Sequence, residues 1–72
     1  MPVKPKWEQL ADQIRSQIES GELAPGDQLP STAQLKDQHG VSATVVRQAI
    51  LVLQTQGWVQ GVHGLGVFVA ER

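Results

Sequence analysis

The chain has no cysteine, which excludes disulfide staples and thiolate metal sites. Its two histidines, His39 and His63, stand far apart, so no metal centre is expected. No apolar run approaches the roughly 18 residues of a membrane span. "MPVKPK" is not followed by the apolar segment that a secretory signal requires, and the expected location is cytoplasmic, with no membrane partner. Positive charge is also scarce. Six Lys and Arg face seven Asp and Glu, for a net charge of −1, whereas nucleic-acid binders are usually basic. No internal repeat or low-complexity block breaks the chain.

What is present suffices for one small domain. At 72 residues a domain buries only about 60% of its unfolded surface, so its core must be efficient. Apolar residues make up 40% and charged residues 18%, a balance that argues against general disorder. The charge is unevenly spread. Residues 8–27 carry Glu8, Asp12, Glu19, Glu22 and Asp27 against Arg15, whereas residues 28–70 carry Lys36 and Arg47 against Asp37. Lys4 and Lys6 add two cations before the first apolar stripe.

Pro2 and Pro5 keep "MPVKP" out of a helix, so residues 1–6 are expected to form a flexible basic arm and residues 7–70 the domain. Trp7, Leu10, Ala11, Ile14 and Ile18 then fall at helical spacing up to Ser20. Gly21 is the expected stop. Pro25-Gly26 reads as a turn, in a stretch that forms a short strand or a turn, and Leu29 returns to the core. Ser31 reads as an N-cap, with Gln34 its capping-box partner, for a short helix anchored by Leu35 and ended at Gly40. Val41 is expected to be buried in the next turn. Ser42 caps a third helix to about Gln56. "WVQGV" and "VFVA" are expected strands joined by "HGLG". The fold class is α+β: a small winged helix-turn-helix, three helices followed by a two-stranded β-hairpin wing.

Within the third helix, Val46, Ala49, Ile50 and Leu53 share an arc of roughly 100°, a core stripe. Thr44, Arg47, Gln48 and Leu51 lie opposite. A guanidinium forks onto a guanine edge or grips a phosphate, and a carboxamide pairs bidentately with adenine. Ala43 and Val45 offer only methyl groups, which suit thymine methyls. At the hairpin tip, Gly64 permits close backbone approach to phosphates and His63 carries a donor imidazole. His39 is expected at the surface of the turn that follows the second helix.

Three blocks, "WEQLADQIRSQIESGELAPGDQLPS", "LKDQHGVSATVVRQAILVLQTQGWV" and "HGLGVFV", occur in this order. They resemble the winged helix-turn-helix domain of the GntR family of bacterial transcription regulators over about residues 7–70. The resemblance implies sequence-specific binding to double-stranded DNA, with repression the expected outcome. Helix 42–56 would enter the major groove and the wing the flanking minor groove. The implied contact residues are Ser31, Thr32, Gln34 and Lys36 on phosphates, Ser42, Ala43, Thr44, Val45, Arg47 and Gln48 at the bases or beside them, and His63 and Gly64 in the wing. Family arginines are missing at two places: Ala33 holds one near the start of the second helix, and Ala43 the other at the head of the third. The family arginine that follows is present as Arg47. Family members usually continue into a ligand-binding or dimerising domain, whereas this chain stops at Arg72. It is therefore expected to be an excised domain or a stand-alone one, with no effector site and no cofactor.

With Lys4, Lys6, Lys36 and Arg47 engaged, the logarithm of affinity is expected to fall with log salt at a slope of about −3 to −4 per subunit. Such a subunit binds at micromolar affinity or weaker, so a homodimer or cooperative assembly is the natural remedy. Two alternatives differ in kind. One is a winged helix that has lost DNA binding and presents Leu51, Leu65, Val45 and Val52 to a protein partner. The other is an architectural DNA-binding factor of a mobile element. Catalysis is not expected: Ser42 is explained as a cap and Asp37 as a solvated helix residue, and there is no carboxylate pair, phosphate loop or metal spacing.

Overall fold

A computed structural model of the chain describes residues 3–71. Three helices, α1 (Lys6–Ser20), α2 (Thr32–His39) and α3 (Ala43–Thr55), precede two strands, β1 (Val59–Val62) and β2 (Gly66–Val69). The expected architecture is observed. The first helix begins at Lys6, one residue ahead of the expected start, because the Pro5 carbonyl accepts the Glu8 and Gln9 amides at 3.0 and 3.1 Å. Proline at this point has no N–H to leave orphaned.

Side-chain caps decide the other two helix starts. Ser31 and Gln34 form a reciprocal capping box: the Gln34 N–H donates to Ser31 Oγ at 3.1 Å, and the Ser31 N–H to Gln34 Oε1 at 2.9 Å. The Val45 N–H donates to Ser42 Oγ at 3.2 Å and opens α3. Between them Gly40 takes φ 62, the left-handed conformation that glycine adopts without a Cβ penalty. Its N–H closes α2 on the Lys36 carbonyl at 2.8 Å. The chain thus passes from α2 to α3 in three residues, which fixes the helix-turn-helix.

β1 and β2 pair antiparallel, with Val59 opposite Val69 and Val62 opposite Gly66. Residues 26–29, expected as strand or turn, act as a third, one-bridge strand. Gln28 bridges Phe68, the Leu29 N–H donates to the Val67 carbonyl and the Val69 N–H to the Asp27 carbonyl, both at 2.8 Å. The α1–α2 connection is thereby sewn to the outer edge of the wing. The strands start and end about one residue from the expected limits: Trp58 precedes β1 and Gly66 opens β2.

The core gathers Leu10, Ala11 and Ile14 from α1, Leu29, Leu35 from α2, Val46, Ala49 and Leu53 from α3, and Val59 and Val69 from the strands. Each large aliphatic side chain buried in this way contributes about 1.5–3 kcal/mol. Two expectations shift. Ile50 and Val41 are half-buried rather than fully so, since Ile50 lies at the edge of the stripe that faces the wing. No buried side-chain polar atom among the described residues lacks a partner.

Candidate nucleic-acid interface

The outward row of α3 forms as its spacing predicts: Thr44, Arg47, Gln48 and Leu51, at i, i+3, i+4 and i+7, are all exposed. Among the described residues, no hydrogen bond or ion pair engages their side chains. Ala43 and Val45 flank the row and are half-buried, so each presents only part of its methyl surface. Arg47 stands at the side of α3 that faces α2 and the wing. There an open apolar depression is lined by Thr32, Arg47, Ile50, Leu51, Gln54 and Val67.

Ser31 and Gln34 carry double duty. The capping box occupies one acceptor on each, but a hydroxyl that accepts keeps its own proton to donate, and the Gln34 amide nitrogen keeps two. Ser42 is placed likewise at the head of α3. Thr32 and Lys36 are exposed along α2. His63 and Gly64 are exposed in the hairpin tip, where the Leu65 N–H donates to the Val62 carbonyl at 3.0 Å. The expected residues therefore gather on α2, on α3 and at the wing tip. His39 is only half exposed: with Lys6, Gln9, Gln13 and Val41 it lines a shallow pocket of about 160 Å³ between α1 and the α2–α3 turn.

Part of the charge is paired along α1. On α1, Asp12 accepts from Lys4 Nζ at 2.6 Å and from Arg15 Nη2 at 3.0 Å, and Arg15 Nε lies 3.6 Å from Glu19. The hydrogen bond with Lys4 holds the Asp12 carboxyl below its ordinary value, and the same bond raises the Lys4 ammonium. Lys4, expected in the arm as a phosphate contact, is thus drawn onto α1; Met1 and Pro2 of that arm lie outside the described residues. Among the described residues, Lys6, Lys36 and Arg47 are the cations with no ion pair.

Sequence reasoning missed two glutamines. Gln28 Nε2 donates to the Leu65 carbonyl at 2.9 Å. Gln54, on α3, lies against Gly61, where an added Cβ would meet its Nε2 at 2.8 Å. Gly61 has no positive φ. A glycine in mid-strand without a conformational need is the signal that was available, for it often marks a close approach.

The family description "Bacterial regulatory proteins, gntR family" matches residues 6–69. This chain belongs to the gntR family. The gntR-family chain is 46% identical over 69 residues to the mannosyl-D-glycerate transport/metabolism system repressor MngR of Escherichia coli, which covers 96% of this chain and 29% of MngR. It is 37% identical over 67 residues to the transcriptional repressor NagR of Bacillus subtilis, covering 93% of this chain and 28% of NagR. The chain thus spans less than a third of the length of these relatives. Its fold matches the DNA-binding domain of AraR, solved in complex with an operator, with a TM-score of 0.91 and 38% identity over 94% of this chain and 82% of that one. The three helices and hairpin of this gntR-family domain are accordingly a winged helix.

Proposed function

We propose that this gntR-family domain binds double-stranded DNA sequence-specifically and regulates transcription, with repression as the outcome. The observation that carries the reading is the unpaired row Thr44, Arg47, Gln48 and Leu51 on a helix whose start is pinned by Ser42. Within that row, Arg47 and Leu51 line a depression with Thr32 of α2 and Val67 of the wing, in a fold shared with a domain solved on its operator. In this reading α3 lies in the major groove, with Arg47 on a guanine edge or phosphate and Gln48 on adenine. Thr44 supplies a hydroxyl, and Ala43 and Val45 lie beside thymine methyls. Ser31, Thr32, Gln34, Lys36 and Ser42 grip phosphates through hydroxyl, amide and ammonium groups. His63 and Gly64 meet the minor groove.

A single arginine with a carboxamide and methyl groups favours an operator rich in A·T steps. Weak single-domain binding favours two copies on a palindrome or direct repeat. The role is non-catalytic and is exercised where the DNA is, inside the cell. Among the described residues no helix is long and apolar enough to cross a membrane and no cluster is suited to a metal.

Titration of the 15N-labelled domain with a short random-sequence duplex at low salt tests this reading. Shifts concentrated at residues 31–36, 42–48 and 61–66 support it. An unperturbed spectrum at submillimolar duplex overturns it. The exposed Leu51 and Leu65 (55% and 66% accessible) would then belong to a protein-binding face, and a partner pull-down becomes the next step.

A further inference from the structure

We infer that Gln28 is a positioning residue for the wing, a carboxamide latch that holds the tip carrying His63 and Gly64 at a set height beside α3. The inference rests on the reading that the wing meets DNA.

Three observations converge on Gln28. Its backbone bridges Phe68, so the residue is anchored at the outer edge of β2. The adjacent Asp27 and Leu29 add two hydrogen bonds of 2.8 Å to the same strand. From this anchor the side chain runs along β2 past its first residue, and Nε2 donates to the Leu65 carbonyl at 2.9 Å. The third observation is Gly66, which lies in that path. A Cβ there would stand 2.7 Å from Gln28 Nε2, closer than real Cβ contacts come. Gly66 thus satisfies two needs, a φ of 122 and room for the latch.

A two-stranded ribbon is marginal in water without further support. Between Val62 and Gly66 the tip is held, among the described residues, by the Leu65–Val62 turn bond and this latch. The hydrogen bond is exposed, so its contribution to global stability is small, while its effect on the tip's order is direct. Fixing the tip before binding reduces the ordering cost that would otherwise be spent on association. Gln28 touches no DNA in this arrangement and acts through His63.

The test uses the domain and a 20-base-pair random-sequence duplex at low salt. Gln28→Met keeps the side-chain volume but removes the donor. It is expected to lower the backbone NOE values at residues 63–65, to leave the melting temperature nearly unchanged, and to weaken binding about threefold, the order expected of one hydrogen bond. His63→Ala is expected to cost a similar factor. If Gln28 acts through the tip, the double variant loses no more than about threefold in all; independent roles would multiply to about ninefold. Gln28→Lys restores a donor and is expected to recover the NOE values, a readout that its added charge on DNA cannot imitate.

Unchanged NOE values in Gln28→Met, or a full ninefold loss in the double variant, overturn the inference while DNA binding stands. A wild type that shows no shifts with duplex overturns the DNA reading and the role assigned to Gln28 with it, whatever the NOE values show.

Discussion

At the scale of single residues, Arg47 carries the largest share of the proposed interface, because it is the one unpaired cation on α3 and lies at the meeting of α2, α3 and the wing. Replacement by alanine is expected to weaken DNA binding at least about tenfold, or about 1.4 kcal/mol. Arg47→Lys separates two modes of contact. Lysine keeps the charge but lacks the planar fork, so preserved affinity and preference would assign Arg47 to a phosphate. Lost preference with partly kept affinity would assign it to a base. Fluorescence anisotropy against two duplexes of different A·T content measures both, and an Arg47→Ala variant with wild-type affinity removes α3 from the groove.

Asp12 offers a test of another kind. Its carboxyl is held below the ordinary 3.8 by the hydrogen bond to Lys4. A depressed pKa contributes stability above the unfolded value, and this is lost as pH falls through the folded one. Wild type is therefore expected to melt slightly higher than Asp12→Asn at neutral pH. The two should converge as acidification passes below about pH 4. The pair is solvent-accessible, with Lys4 58% and Asp12 29% exposed, so the difference is small, as for surface ion pairs generally. A gap that widens in acid would show that the pairing does not hold in solution.

Among the elements, α3 depends on its first turn. Ser42 satisfies the Val45 amide, and no acidic residue in that turn supplements it. Ser42→Ala is expected to cost about 1 kcal/mol, which lowers the melting temperature by about 4–8 °C in a domain of this size. Thermal unfolding by circular dichroism measures it, and a change below a degree would place the helix start elsewhere. The elements also show what was legible beforehand. Ser31 with Gln34, and Ser42 followed by an apolar stripe, were readable because a cap is a local device whose partners lie within three residues. The strand made by residues 26–29 was not decided, since its partners, Val67 and Val69, lie about forty positions away and no local propensity announces them. The role of Gln28 is not legible for the same reason: its acceptor is Leu65. Gly61 and Gly66 both make room for glutamine side chains.

For the whole molecule, the sorting of charge sets the salt response. With Lys4 and Arg15 committed to carboxylates of α1, Lys6, Lys36 and Arg47 are the described cations that remain for phosphates. Three neutralised phosphates predict a slope of log affinity against log salt of about −3, at the shallow end of the range that four cations give. Anisotropy from 50 to 200 mM salt measures it. A much steeper slope per domain would require more phosphate contacts than the described cations supply.

Composition and pattern by themselves determined the order of elements, the helix caps and the outward row of α3. Each of these follows from spacing along the chain, where partners are neighbours or repeat with the helical period. The tertiary structure alone decided that Lys4 turns back onto Asp12 while Arg47 stays free. It also decided that Ile50 lies at the wing-side edge of the core, and that the α1–α2 connection reaches across to latch the wing. Those outcomes depend on which distant segments meet, and burial of one shared apolar core among α1, α2, α3 and the strands is what brings them together.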